Sequence, residues 1–334
     1  MNRQRIRNLA LTYCVAGLLL AGAGGLWIQS RQRQYILSRD LITALMKTDT
    51  REALTLVNAG ADPNTPYIVL PPPSPQQLWD YLLHRSRPRD NDSPTAFHIA
   101  CGSAWTVENA EPEGFNPPPT ELVQAMFKRG ANLTVHDREG WTPLFYAIHN
   151  NQSSIVAALL EDGAAVNVKD KKGDPPLIAA CDADPAIAHL LIEHGADVNV
   201  RNQGGETPLI RLASFTDPDG IRLLLEHNAD VNARDANGNS PLMRAVTVPK
   251  TPPDNIRLLI EHGADVNAVD HYGNTPLTLA VSTRDTTPGT IRLLLEHGAD
   301  PNPPSKPDVD ILNVAQQNHR SDLAAVIRHA RAKK

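Results

Sequence analysis

Four histidines, His194, His227, His262 and His297, recur at near-constant spacing and are the first candidates for metal chemistry. Three of them close near-identical phrases: Ile221-Arg222-Leu223-Leu224-Leu225-Glu226-His227, Ile256 to His262 and Ile291 to His297. Zinc holds imidazole nitrogen at about 2 Å. Stacked helices lie about 8–10 Å apart, so rings in one register of successive helices cannot share an ion without distortion. A histidine ending a helix has a simpler role, facing the terminal carbonyls. No metal site is expected.

Covalent and phosphate chemistry fare no better. The chain contains no GxxxxGK[ST] cradle, GxSxG elbow, HExxH pair or EF-hand loop. Cys14, Cys101 and Cys181 show no CxxC spacing. Cys101 and Cys181 share a register two units apart, too distant to bridge, and are expected to be small core residues. No catalytic residue, cofactor or intrinsic enzymatic activity is expected. Asn132-Leu133-Thr134 and Asn151-Gln152-Ser153 are glycan acceptor sequons, relevant only to an exported eukaryotic chain.

The elements behind these residues are set by two interlocking phrases. Gly130-Ala131-Asn132, Gly163-Ala164-Ala165, Gly195-Ala196-Asp197, Asn228-Ala229-Asp230, Gly263-Ala264-Asp265 and Gly298-Ala299-Asp300 follow at steps of 33, 32, 33, 35 and 35 residues, and Gly60-Ala61-Asp62 precedes them. Thr142-Pro143-Leu144, Pro175-Pro176-Leu177, Thr207-Pro208-Leu209, Ser240-Pro241-Leu242 and Thr275-Pro276-Leu277 keep the same step, with degenerate copies at Thr95 to Ala100 and Asp310 to Ala315. Thr or Ser before Pro is an N-cap followed by the best first-turn residue, so each phrase starts a helix. At Pro175, which has no side-chain oxygen, Asp174 is the candidate substitute. Gly195, Gly263, Gly298 and Asn228 supply the left-handed residue that ends the second helix. Asp170, Asn202, Asp235 and Asp270, each followed three residues later by Gly, specify a tight turn between units.

A helix-turn-helix of about 33 residues, repeated with T-P-L phrases, resembles the ankyrin repeat over roughly residues 37–330. The expected fold is all-α: a solenoid of about eight such repeats at 37–331, with atypical outer repeats. Departures from the pattern are local. The motif histidine survives only at His98, and Leu212 replaces the motif alanine. Proline-rich insertions occupy 65–92 and 102–119, with shorter ones at Val248 to Asp254 and Ser282 to Thr290.

The resemblance implies a protein-binding surface made of the turn tips and the first helix of each repeat. Tip residues are then Arg138 and Trp141, Lys171 and Lys172, Gln203 and Glu206, Ala236 and Asn237, and His271 and Tyr272. Aromatics are only 4% of the chain, and Trp and Tyr are enriched in interface hot spots. Trp141, Tyr146, Lys171, Lys172, His271 and Tyr272 are therefore the candidate partner-binding residues. The alternative for Trp141 is that it covers the first helix of its own repeat.

Ahead of the repeats, a basic tail at 1–8 leads into an uncharged apolar run from Leu9 to Ile28. Twenty helical residues span about 30 Å, a bilayer's hydrocarbon thickness. Two readings stay open: a membrane-spanning helix at 9–28 with a juxtamembrane linker at 29–36, or a signal peptide at 1–23 cleaved after Ala21-Gly22-Ala23. The first gives a single-pass membrane protein, and a slight Arg excess before the span favours a body outside the cytoplasm. The second gives a periplasmic or secreted soluble protein. Gly17, Ala21 and Gly25 lie on one helix face and would allow two such helices to pair. Residues 1–39 hold six Arg and no acid, so the body, with 26 basic and 37 acidic residues, stands at −11. That balance disfavours nucleic acid as a partner. The function expected is a membrane-held protein scaffold, or a cleaved, exported regulator of an enzyme partner.

Overall fold

The computed structural model describes residue 30, residues 33–34, 36–47, 49–65, 94–102, 120–215, 218–248, 253–302 and 310–332. The apolar run at 9–28, the alternative signal peptide at 1–23, the pairing face of Gly17, Ala21 and Gly25, and nearly all of both large insertions lie outside these residues. Among the described residues, no helix is long and apolar enough to cross a membrane.

Every regular element among the described residues is helical, and the helices come in eight pairs. The pairs are α1 (36–46) with α2 (Thr50–Asn58), α3 (Ala96–Ala100) with α4 (Thr120–Lys128), and α5 (Pro143–His149) with α6 (Ser153–Glu161). There follow α7 (Pro176–Ala179, continued as a 3-10 turn to Asp182) with α8 (Pro185–Glu193), and α9 (Pro208–Leu212) with α10 (Pro218–Glu226). The last are α11 (Pro241–Thr247) with α12 (Pro253–Glu261), α13 (Pro276–Ser282) with α14 (Pro288–Glu296), and α15 (Ile311–Gln317) with α16 (Ser321–Ala332). The chain divides into two compact units, 1–159 and 160–334, described separately below.

Local chemistry accounts for the starts and stops. Pro143, Pro176, Pro208, Pro241 and Pro276 occupy the first turn of the first helix in each pair. Thr207, Ser240 and Thr275 accept the amide of Ile210, Met243 and Thr278 at 3.3 Å, as N-caps do. Thr142 departs from the expectation, because its side chain makes no capping bond. Asp174 does not replace the missing cap at Pro175. Its carboxylate instead accepts Asn202 Nδ2 at 2.8 Å, joining its repeat to the next. The second helices begin on Pro185, Pro218, Pro253 and Pro288 and end at left-handed residues: Asn228 has φ of 64° and Gly263 of 91°.

Two registers of apolar residues form the core. In the first helices, Leu144, Leu177, Leu209, Leu242 and Leu277 are buried; in the second, Ile155, Ile187, Ile221, Ile256 and Ile291 are too. Burying each contributes roughly 1.5–3 kcal/mol. One pair cannot hide both rows alone, so each pair needs its neighbours.

Candidate functional site

Each inter-repeat tip is built around one acidic or amide side chain. Asp137, Asp170, Asp235 and Asp270 each use Oδ1 to accept two backbone amides, two and four residues on, at 2.8–2.9 Å. Asn202 accepts the amide of Glu206 at 2.9 Å. The glycine three residues later takes a positive φ, from 72° at Gly205 to 81° at Gly140 and Gly238. The second apex residue, Glu139, Lys172, Asn237 or Tyr272, thus has its amide tied to the carboxylate at the base of its own turn.

In the unit 160–334, backbone and side-chain bonds stitch the tips into a row. Gln203 Nε2 donates to the Lys171 carbonyl at 3.0 Å, Ala236 N–H to Gly204 at 2.9 Å, and His271 N–H to Asn237 at 3.0 Å. Glycine is required at this seam: a Cβ on Gly238 would stand 2.8 Å from His271 Cδ2, and one on Gly205 2.9 Å from the Ala236 nitrogen. Lys171, Lys172, His271 and Tyr272 are all exposed, Tyr272 at 69%. The row thus carries the lysine pair at one end and the His271-Tyr272 pair at the other, with Gln203 and Ala236-Asn237 between. Val269, 42% exposed, flanks Tyr272.

In the unit 1–159, Trp141 and Tyr146 are brought together, with ring centroids 5.6 Å apart. Tyr146 differs from the expectation of a surface residue. It is buried, and its hydroxyl donates to the carboxylate of Asp137, the residue that builds the tip. Burial, then Asp137, pushes the phenol well above its ordinary value. Trp141 is half-buried, stacked near Phe145 at 6.5 Å and against His149 at 4.9 Å, so it covers α5 of its own repeat while keeping an exposed portion. Its carbonyl meets His98 Nε2 at 3.1 Å, while His98 Nδ1 accepts the Thr95 amide at 3.0 Å. Those partners assign the neutral Nε2–H tautomer. His98 is fully buried, and desolvation lowers its pKa to about 4 despite the opposing pull of Asp137.

Three of the four helix-end histidines make terminal-carbonyl contacts. Nδ1 of His194, His262 and His297 lies 2.8–2.9 Å from the carbonyl four residues back in its own helix. Of the described cysteines, Cys101 is buried and Cys181 half-buried, and burial raises both thiols far above their usual range.

Two features of the tip face were missed in the sequence. Arg211 and Arg244 occupy the fifth position of the T-P-L phrases, where other repeats have Tyr146, Ala179 or Leu279. Arg211 pairs with Asp182 at 2.9 Å and Arg244 with Glu206 at 3.3 Å, each carboxylate coming from an earlier segment of the stack. Asp182 accordingly holds the Arg211 guanidinium above its usual value. A charged residue in that apolar or small slot was the available signal. The second feature is a ladder of asparagines. Nδ2 of Asn167, Asn199, Asn232 and Asn267 donates to the carbonyl of Gly195, Asn228, Gly263 and Gly298, at 3.0–3.2 Å. Their Oδ1 atoms accept the amides of Asp197, Asp230, Asp265 and Asp300, at 2.7–3.1 Å. Asn64 makes the same pair of bonds to Gly130 and Asn132 in the unit 1–159. At these five positions the asparagine of the repeated phrase therefore clamps its repeat to the following one.

A family model described as ankyrin repeats (3 copies) matches residues 115–202, 184–270 and 236–305, overlapping stretches that together cover more than half of the chain. No curated protein matches the sequence.

Proposed function

The chain belongs to the ankyrin-repeat family, and from that premise we propose that it is a non-enzymatic scaffold whose tip face binds a protein partner while its N-terminal segment holds it at a membrane. Ankyrin repeats suggest protein–protein interaction as the role. The observation that carries the finer reading is the tip row of the unit 160–334. Its backbone is consumed by bonds within the stack, while the side chains of Lys171, Lys172, His271 and Tyr272 are on exposed residues and make no hydrogen bond among the described residues. Tyr272 is the natural anchor, since a rigid aromatic supplies contact area at little entropic cost.

Membrane attachment rests on the sequence of residues 9–28, which is long and apolar enough to span a bilayer. With the body placed outside the cytoplasm, the partner would be sought in that compartment. The mass of the chain recovered from membrane and soluble fractions of its host tests this. Full-length chain in the membrane supports the anchor; a soluble chain lacking residues 1–23 replaces it with an exported binding protein. The binding role is tested by cross-linking in the same fractions. Partner capture that survives Tyr272→Ala together with Lys171→Ala and Lys172→Ala removes the tip row from the interface. Turnover of a substrate by the purified chain would overturn the non-enzymatic reading.

A further inference from the structure

The body's charge is not evenly spread. In the unit 160–334, Glu193, Glu226, Glu261 and Glu296 end four of the five second helices, and Asp197, Asp230, Asp265 and Asp300 stand in the turns after them. These carboxylates are exposed, apart from half-buried Asp300, and make the helix-end edge acidic. The tips carry the opposite sign. Lys169, Lys171, Lys172 and Arg201 are exposed and Arg234 is half-buried, and none has a carboxylate partner among the described residues. Lys169, Arg201 and Arg234 donate instead to the carbonyls of Arg201, Arg234 and Val269 in the following repeat, at 2.5–2.9 Å. A neutral carbonyl fixes the side chain without cancelling its charge.

The acids on the same face turn inward or are paired with a cation. Asp235 and Asp270 are buried, and with Asp170 they face backbone amides of their own turns. Asp182 and Glu206 are matched by Arg211 and Arg244. The unpaired charges that this face exposes are therefore those of Lys169, Lys171, Lys172 and Arg201, on a chain whose body stands at −11. At its far end the charge gives way to Val269 and Tyr272, the two exposed large hydrophobics among the described residues of this unit.

Building on the tip-face reading above, we propose that this row takes an extended acidic segment of a partner protein, its carboxylates along the Lys171–Lys172 end and an apolar side chain against Tyr272 and Val269. From the fourth repeat's tip to the seventh's there are three repeat steps of about 8–10 Å each. Roughly eight or nine extended residues at about 3.3 Å each cover that distance. The complementary charges steer the segment to the tips, and the acidic helix ends repel it.

The test uses the full chain and a labelled peptide of about nine residues, glutamate-rich with a leucine near one end. A lysine-rich peptide of the same length and an oligodeoxythymidylate strand serve as comparisons, all read by fluorescence anisotropy. The acidic peptide should bind in preference to both, weaken with added salt, and lose about tenfold or more in affinity in Lys171→Glu/Lys172→Glu. Both lysine side chains are exposed, so this variant leaves the tip bonds intact. Absent binding of the acidic peptide, equal binding of the lysine peptide, preference for the oligonucleotide, or an unchanged affinity in the variant would each overturn the proposal. Cross-linking of the natural partner separates this from the underlying reading. If Tyr272→Ala releases the partner and Lys171→Glu/Lys172→Glu does not, the tip face stands and the acidic segment falls. If neither variant releases it, both fall.

Discussion

The pairing of His98 makes a prediction with a definite sign and size. Its ring is fully buried between the Thr95 amide and the Trp141 carbonyl, and its folded-state pKa is about 4. An unfolded histidine titrates near 6.5. Because the folded value is the lower one, the neutral ring favours folding: the contribution is whole above about pH 6.5 and is lost as pH falls through about 4. At about 1.4 kcal/mol per pKa unit, lowering the pH from about 7.5 to 4.5 should remove roughly 2–3 kcal/mol through this residue. The perturbation is His98→Gln, which does not titrate. The assay is hydrogen exchange at the α3 amides of both proteins at the two pH values, corrected for intrinsic exchange, since it reads the opening of that segment itself. The wild type should lose roughly 2–3 kcal/mol more than the variant. An equal loss in both, or a His98 ring resonance titrating near the unfolded value, would refute the assignment of a desolvated neutral imidazole.

Four further outcomes follow from the same geometry. Tyr146→Phe removes the hydroxyl bonded to Asp137 and should cost about 1.5–3 kcal/mol in urea unfolding while leaving partner capture unchanged, as befits a buried residue. Asn232→Ala loses the bonds to Gly263 and Asp265 at an exposed seam where water can replace them, so unfolding measurements should show a loss of about 1 kcal/mol; Asn237→Ala, at an exposed apex, should show almost none. Gly238→Ala and Gly263→Ala both place a side chain at positive φ, at a cost of roughly 1–2 kcal/mol. Gly238→Ala should cost more, because its Cβ meets His271 whereas Gly263 faces nothing within 4 Å, and equal thermal shifts would contradict the seam as described.

The sequence was most legible where a single residue type has one conformational use. Pro208 and Thr207 mark a helix start because one lacks an amide and the other accepts one, and Gly263 marks a stop because it tolerates φ of 91°. These rules are local and repeat with the phrase. What stayed hidden depends on the neighbouring repeat. Asn232 reads as a turn residue until Gly263 and Asp265 are set beside it. Tyr146 reads as an exposed aromatic, yet Asp137 satisfies its hydroxyl and allows burial. Asp174 reads as a substitute cap, but Asn202 in the following repeat takes its carboxylate. Arg211 and Arg244 were passed over because their carboxylate partners lie 29 and 38 residues away. Of the candidate site, the exposure of Lys171, Lys172, His271 and Tyr272 followed from their place at the turn apex. The charge of the row did not, since it requires knowing which aspartates turn inward.

The central claim is that the tip row of the unit 160–334 is the protein-binding surface. Its most direct measurement is cross-linking mass spectrometry of the full chain in its host's own fractions, comparing Tyr272→Ala/Lys171→Glu/Lys172→Glu with an equally drastic change at the helix ends, Glu226→Lys/Glu261→Lys. The account predicts that the partner's cross-links disappear in the first variant and persist in the second. Loss of the partner only when the helix-end glutamates are reversed would place the interface at the helix ends and contradict the account.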